Sequence, residues 1–125
     1  MAAQFPVRPW EDILRFYRGI ADDGGTWIAP MLNITQSVTD EGATGDLLAH
    51  TSMHDLVVTV PPRRAQTETD FVRVELLSHE RGVRVWHRPL VGLADDLTRP
   101  GDEAVSLFWR FMIEKYGIHP ARDRN

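Results

Sequence analysis

His50 and His54 are the two residues whose spacing most directly suggests a metal site. Four positions separate them, and on a helix that spacing places both imidazoles on one face, one turn apart, as zinc requires. On a β-strand the two side chains also share a face, but they lie about 13 Å apart, too far to bind one ion. The fuller H-E-x-x-H signature, whose glutamate supplies a general base, is absent. We therefore favour ordinary histidines here and predict no metal, with His50 and His54 as the candidates if one binds.

His87 is the histidine that strand alternation places on an apolar face. A buried imidazole costs free energy unless its ring nitrogens find hydrogen-bond partners, so a partner is expected beside it. A ligand in a pocket lined by Val74, Leu76, Phe108 and Met112 could supply that partner, and so could a core residue such as Ser78. We name His87 and Ser78 as candidate ligand-binding residues, while favouring a core histidine with satisfied hydrogen bonds.

Trp86 is placed by the same alternation on the opposite face of the sheet, with Arg84 and Arg88 on either side. Strand pairing is expected to set Leu77 opposite Trp86 and Glu75 opposite Arg88. Protein interfaces favour tryptophan and arginine, which combine a large rigid area with a polar rim. Either the protein's own helices cover this face, or Leu77, Arg84, Trp86 and Arg88 form an interface.

Catalytic signatures are not found among the remaining polar residues. The serines do not lie in a G-x-S-x-G turn, and the glycine pairs lack the context of a phosphate-binding or dinucleotide-binding loop. Adjacent acid pairs such as Asp95-Asp96 are explained by helix capping and solvation. We therefore predict no catalytic residue and no cofactor, and we favour a protein that is not an enzyme.

Composition narrows the class of protein further. The chain has 125 residues, 42% of them hydrophobic and none of them cysteine, so one domain (residues 1–125, frayed over 121–125) without disulfides is expected. A net charge of −4 disfavours binding to nucleic acid. No apolar segment approaches the length of a membrane span, and no secretory leader is visible, so we expect a soluble cytoplasmic protein of bacterial type without membrane contact.

Two segments show the apolar spacing of amphipathic helices. Residues 9–22 begin with Pro9 and two acids, which suit the first turn, and end before a pair of glycines. Residues 102–116 carry a wide apolar stripe that begins after acids and ends at Gly117. The sequence predicts a helix near each end of the chain.

Strands are predicted between these helices. Residues 31–38 alternate with a period of two, residues 56–60 are rich in valine, and residues 47–54 fit either a strand or a short helix. Residues 71–80 and 83–90 flank Arg81-Gly82 and form the clearest hairpin, whose faces stay the same if the loop grows to four residues. Loops are predicted over residues 39–46, 63–70 and 92–101.

The fold class that follows is α+β, with an antiparallel sheet of about three to five strands flanked by an N-terminal and a C-terminal helix. The function we favour is a non-enzymatic binding protein that docks a protein partner or forms a homodimer through the outer sheet face. The alternative is a small-molecule-binding pocket domain, or a pocket enzyme, that uses His87.

Overall fold

The computed structural model of this protein describes residues 6–61, 70–77 and 82–121. Within these ranges the chain forms three α-helices and one five-stranded antiparallel sheet, which confirms the α+β class. In chain order the elements are α1 (Trp10–Asp22), α2 (Ala29–Asp40), β1 (Leu48–Ser52), β2 (Asp55–Thr59), β3 (Phe71–Leu77), β4 (Gly82–Arg88), β5 (Asp95–Pro100) and α3 (Ala104–Phe111). A 3₁₀ turn precedes α2 (Thr26–Ile28) and another precedes α3 (Gly101–Glu103), and a π-helical turn (Met112–Tyr116) follows α3.

The two predicted helices are confirmed. α1 buries Trp10, Ile13 and Tyr17, which are spaced so that they lie along one stripe. The C-terminal helix runs from the 3₁₀ turn through α3 into the π-helical turn, and Gly117 ends it with a positive φ of 68°. The amide of Ile118 then donates to the carbonyl of Met112, which closes the last turn.

The strand predicted over residues 31–38 is wrong, because this segment belongs to α2. Met31, Ile34, Thr35 and Val38 are buried, and their spacing is helical although the same segment also alternates with a period of two. Pro30 lies in the first turn, where its missing N–H costs nothing. The Thr35 hydroxyl bonds to the Met31 carbonyl at 2.9 Å, so this buried polar group is satisfied within its own helix.

The sheet follows chain order from β1 to β5, and every neighbouring pair is antiparallel. Residues 47–54, which the sequence left open between strand and helix, contain β1 and the two-residue turn that joins it to β2. The loop predicted over residues 92–101 is wrong in its second part, since β5 forms the edge of the sheet there. Its acids and its terminal proline obscured the strand, although such residues are common on edge strands.

The predicted hairpin is present, and its two faces are assigned correctly. Val74 lies opposite Val85, but Glu75 lies opposite Arg84 instead of the predicted Arg88, and Trp86 lies opposite Arg73 instead of Leu77. The register therefore differs from the prediction by an even number of residues, which keeps every side chain on its face. The connecting residues 78–81, including Ser78, are outside the described residues, as is most of the loop predicted over 63–70.

The helices pack on one face of the sheet. The core combines helix residues such as Tyr17, Met31 and Phe108 with one alternating set of sheet residues, which are Ala49, Leu56, Val58, Val72, Val74, Val83 and Val85. The other alternating set, which includes Arg73, Arg84 and Trp86, does not belong to this core. We call this second surface the outer face.

Gly25, which lies between α1 and the 3₁₀ turn, should not tolerate a side chain. An added Cβ would lie 2.7 Å from Ile20 Cγ2 and 2.8 Å from the Ile20 backbone oxygen, which cannot rotate away. We expect Gly25→Ala to lower the free energy of unfolding by about 1–3 kcal/mol, measured by urea denaturation. Gly19→Ala, inside α1, is the control, because an added Cβ there meets nothing within 4 Å. This substitution should stabilise the protein by up to about 1 kcal/mol. Equal effects of the two substitutions would contradict this packing argument.

Candidate ligand-binding pocket

A cavity of about 700 Å³ opens where the start of α2 meets one end of the sheet. Its volume is in the range of small-molecule pockets, about 300–1,000 Å³. Three segments line it: the 3₁₀ turn with the start of α2, the turn between β1 and β2, and the adjoining ends of β3 and β4. The lining residues are Thr26, Trp27, Pro30, Ser52, Met53, His54, Asp55, Arg73, Leu76, Leu77 and Gly82. We refer to it as the end pocket.

The walls of the end pocket are mostly apolar and accessible. Trp27 is 54% exposed and Met53 is 88% exposed, which is unusual for side chains of their size. Leu76, Leu77 and Pro30 extend this surface. Large apolar groups that line a concave surface can be covered by a ligand, and their burial would favour binding.

The turn between β1 and β2 contributes lining residues to the end pocket. Ser52 pairs with Asp55, so only Met53 and His54 lie between the strands. Met53 has a φ of 56°, the left-handed region that favours glycine. A residue with a side chain pays about 1–2 kcal/mol for this conformation, and such strain is concentrated at functional sites.

Residues of helix α1 contact this turn and hold it in position. The Tyr17 hydroxyl donates to the His54 carbonyl at 3.1 Å, and the Phe16 ring stacks on the His54 imidazole at a centroid distance of 6.3 Å. Trp27 meets the same imidazole edge-on at 5.1 Å. The His54 side chain is exposed, and among the described residues neither of its ring nitrogens has a hydrogen-bond partner. The imidazole is therefore fixed in place with its polar atoms available.

An ion pair contributes the other polar groups of the end pocket. Arg73 donates from both Nε and Nη2 to one carboxylate oxygen of Asp55, Oδ2, at 3.0 and 2.7 Å. The two side chains are partly exposed, 30% for Arg73 and 25% for Asp55. Within the described part of the chain, Arg73 Nη1 and Asp55 Oδ1 have no partner.

His87, which the sequence named as a ligand-binding residue, lies elsewhere. It is about 16 Å along β4 from Gly82 and the end pocket, at the other end of the sheet. Its Nε2 lies 2.7 Å from Asp70 Oδ1, and the Tyr116 hydroxyl donates to the same oxygen at 2.7 Å. A buried imidazole does have its hydrogen-bond partner, and the partner is an acid. Ligand binding by His87 stays a prediction. Ser78, the second residue predicted to bind the ligand, is outside the described residues.

The predicted interface residues lie on one face but are not all neighbours. Trp86 donates its indole N–H to Glu75, packs edge-on against Phe71 and lies 5.3 Å beneath the Arg84 guanidinium. Arg84 also pairs with Asp96 on β5. Arg88 lies over the Phe71 ring. Leu77 is separated from this group, because it pairs with Gly82 and lines the end pocket.

The metal candidates His50 and His54 are not brought together with further ligands. His50 lies on β1, where its Nδ1 is 3.3 Å from the Thr51 carbonyl oxygen, and His54 lies in the following turn. Among the described residues no group of three or more histidine or acidic side chains could hold an ion.

The sequence did not point to the end pocket, because its lining comes from three separate stretches of chain. Trp27, Met53 and Arg73 each look ordinary in their own segment. The one local signal was a strand pair joined by Met53 and His54, a two-residue turn without glycine or asparagine. That signal indicates strain, and strain suggests a functional residue only once the cavity beside it is known.

Comparison of the chain with family models, curated protein sequences and solved structures gave no significant match. In the described part of the chain, no helix has the length and hydrophobicity needed to cross a bilayer.

The chain's two tyrosines should make the protein less stable at alkaline pH. Burial, then the charge of Asp55, raises the pKa of Tyr17, and burial with the hydrogen bond to Asp70 raises the pKa of Tyr116. The unfolded chain ionises first, near pH 10, so this contribution to stability is complete below about pH 10 and is lost above it.

We expect urea denaturation to show stability falling above about pH 10, by up to about 1.4 kcal/mol per pH unit for each tyrosine. Phenolate absorbance should appear only as the protein unfolds. Tyr17→Phe should reduce the slope, because it removes one of the two buried hydroxyls. Phenolate absorbance that develops near pH 10 in the folded protein would contradict the burial of these hydroxyls.

Proposed function

We propose that this protein binds a small molecule in the end pocket. The observation that carries the proposal is a cavity of about 700 Å³ beside which Trp27 and Met53 remain exposed. Concave, mostly apolar surfaces with a few fixed polar groups are the usual form of small-molecule sites.

The pocket is supported before any ligand arrives. Tyr17 and Phe16 of α1 fix the turn at His54, and the Asp55–Arg73 pair fixes β2 to β3. A pocket that is already ordered loses less conformational entropy when it binds, which favours affinity. The backbone conformation of Met53 fits the same interpretation, since strain is retained where the surrounding structure imposes it.

Binding is favoured over catalysis by the arrangement of the polar side chains. Ser52, His54 and Asp55 all line the pocket, a set of residue types that could form a catalytic triad. The required contacts are missing among the described residues, since no hydrogen bond joins Ser52 to His54. Asp55 is engaged by Arg73 and does not orient the imidazole. A nucleophile without a hydrogen-bonded base is not activated.

Trp27→Ala should remove ligand binding while leaving the fold intact, because Trp27 is largely exposed. A panel of naphthalene and octyl derivatives, each bearing an acid, amide or amine, would be screened by the rise in melting temperature that binding produces. We expect at least one member to stabilise the natural protein and to bind Trp27→Ala at least about tenfold more weakly in calorimetry.

Leu93→Ala is the matched control, since Leu93 is 96% exposed in the β4–β5 loop at the other end of the sheet. It should bind the panel as the natural protein does. If no compound stabilises the natural protein, or if Trp27→Ala binds equally well, the end pocket is not the binding site.

A second candidate function is self-association through the outer face, with a second copy of this chain as the partner. Trp86 lies outside the core, and its ring contacts neighbouring residues of the same face. Among the described residues, the strands place equal numbers of opposite charges on this face, with three arginines, Arg73, Arg84 and Arg88, and three acids, Asp55, Glu75 and Asp96. A balanced face is self-complementary, because a twofold axis can set arginines against acids, whereas a partner of one dominant charge gains little.

Sedimentation across a range of protein concentrations tests this second candidate. We expect a dimer that forms with increasing concentration, weakens with added salt, and is lost in Trp86→Ala/Arg88→Ala. Val91→Ala, which removes an exposed side chain of the β4–β5 loop, should dimerise normally. A natural protein that stays monomeric at every concentration would contradict the self-association proposal. It would leave the proposal of small-molecule binding in the end pocket unaffected.

A further inference from the structure

Among the described residues, the charged groups of the end pocket leave mainly hydrogen-bond donors available. A guanidinium has five N–H groups, and Asp55 engages only Nε and Nη2 of Arg73. Both hydrogens of Nη1 and the second hydrogen of Nη2 therefore remain. The Ser52 hydroxyl and the His54 ring, which also line the pocket, can donate as well. Among the described lining residues, the remaining charged acceptor is a single carboxylate oxygen, Asp55 Oδ1.

We infer that the ligand is an apolar molecule that carries one carboxylate, an inference that rests on the proposed function of the end pocket. The carboxylate would accept hydrogen bonds from the edge of the Arg73 guanidinium that Asp55 leaves open. Arginine suits this role because its planar fork matches a carboxylate with two parallel hydrogen bonds. The apolar body would cover Trp27, Met53 and Leu76.

The Asp55–Arg73 pair explains why an anion is accepted at a partly apolar surface. An unpaired arginine beside apolar walls would bear a large desolvation cost, which Asp55 offsets in the empty protein. The charge that Asp55 contributes also weakens the attraction of Arg73 for a second carboxylate. Asp55 therefore moderates the affinity for acids while it holds the guanidinium in position.

A cationic ligand is less well matched to the same site. It would have one free carboxylate oxygen to bind and would have to approach within a few ångströms of the Arg73 charge, which repels it. Trp27 could attract a cation through its ring face, but Arg73 and, when protonated, His54 oppose that attraction.

The test compares ligands that differ only in the polar group. Naphthoic acid, naphthamide and naphthylmethylamine share one ring system, and octanoic acid, octanamide and octylamine share one chain. In calorimetry with the natural protein, we expect the acid of at least one series to bind about tenfold or more tightly than its amide, and the amine to bind weakest.

Two substitutions assign the effect to Arg73. Arg73→Gln should reduce acid binding to the level of the amide or below it, because the Asp55 charge then repels the acid without opposition. It should leave amide binding unchanged, which also reports that the pocket is intact. Asp55→Asn should raise the affinity for the acid by up to about fivefold, because it removes a competing charge. If Arg73→Gln does not fold well alone, Asp55→Asn/Arg73→Gln removes both charges together and should bind acid and amide equally.

The outcomes separate the carboxylate inference from the proposed function. If the amide or the amine binds as tightly as the acid in both series, the carboxylate inference is overturned and small-molecule binding is left standing. Acid binding that survives Arg73→Gln also overturns it. If none of the six compounds binds, both the inference and the proposed function fail.

Discussion

The rest of the structure depends on one packing arrangement, in which the described helices cover a single face of the sheet. Strand alternation then divides the sheet residues into a buried set rich in valine and an outer set in which charged side chains pair across strands. Two arginines of the outer set, Arg73 and Arg84, pair with acids of the same face while remaining in contact with water. Where the start of α2 meets the end of the sheet, packing leaves a cavity, and the end pocket forms there. The location of the pocket thus follows from the layered architecture.

Structural features that depend on one segment alone could be predicted from the sequence. The spacing of Trp10, Ile13 and Tyr17 fits a helix and no strand, and the faces of the β3–β4 hairpin follow from parity whatever the loop length. The segment 31–38 could not be read in this way, because its apolar residues satisfy both periods. Helix α2 is favoured by packing, since it buries Met31, Ile34 and Val38 against elements far away in the chain. β5 was hidden because an edge strand needs little hydrophobicity.

The polar contacts also divide into features that the sequence predicts and features that it does not. Burial of His87 and its need for a partner follow from alternation and from the cost of an unsatisfied imidazole. The identity of that partner, Asp70, depends on how β3 begins beside β4, which no local pattern specifies. The end pocket is harder still to predict from the sequence. It requires the 3₁₀ turn, the β1–β2 turn and β3 to be in place together, so no single stretch of sequence contains its signal.

The hydrogen bond from Tyr17 to the His54 carbonyl makes α1 and the β1–β2 turn one cooperative unit. If α1 moves away from the sheet, the turn loses this hydrogen bond and the ring contact with Phe16. A molecule bound against His54 would therefore slow hydrogen exchange at amides in α1 that it never touches. Substitutions on the buried stripe of α1 would in turn alter affinity from a distance. The proposed affinity of the end pocket would then depend on residues that line no cavity, through the contacts by which α1 holds the turn.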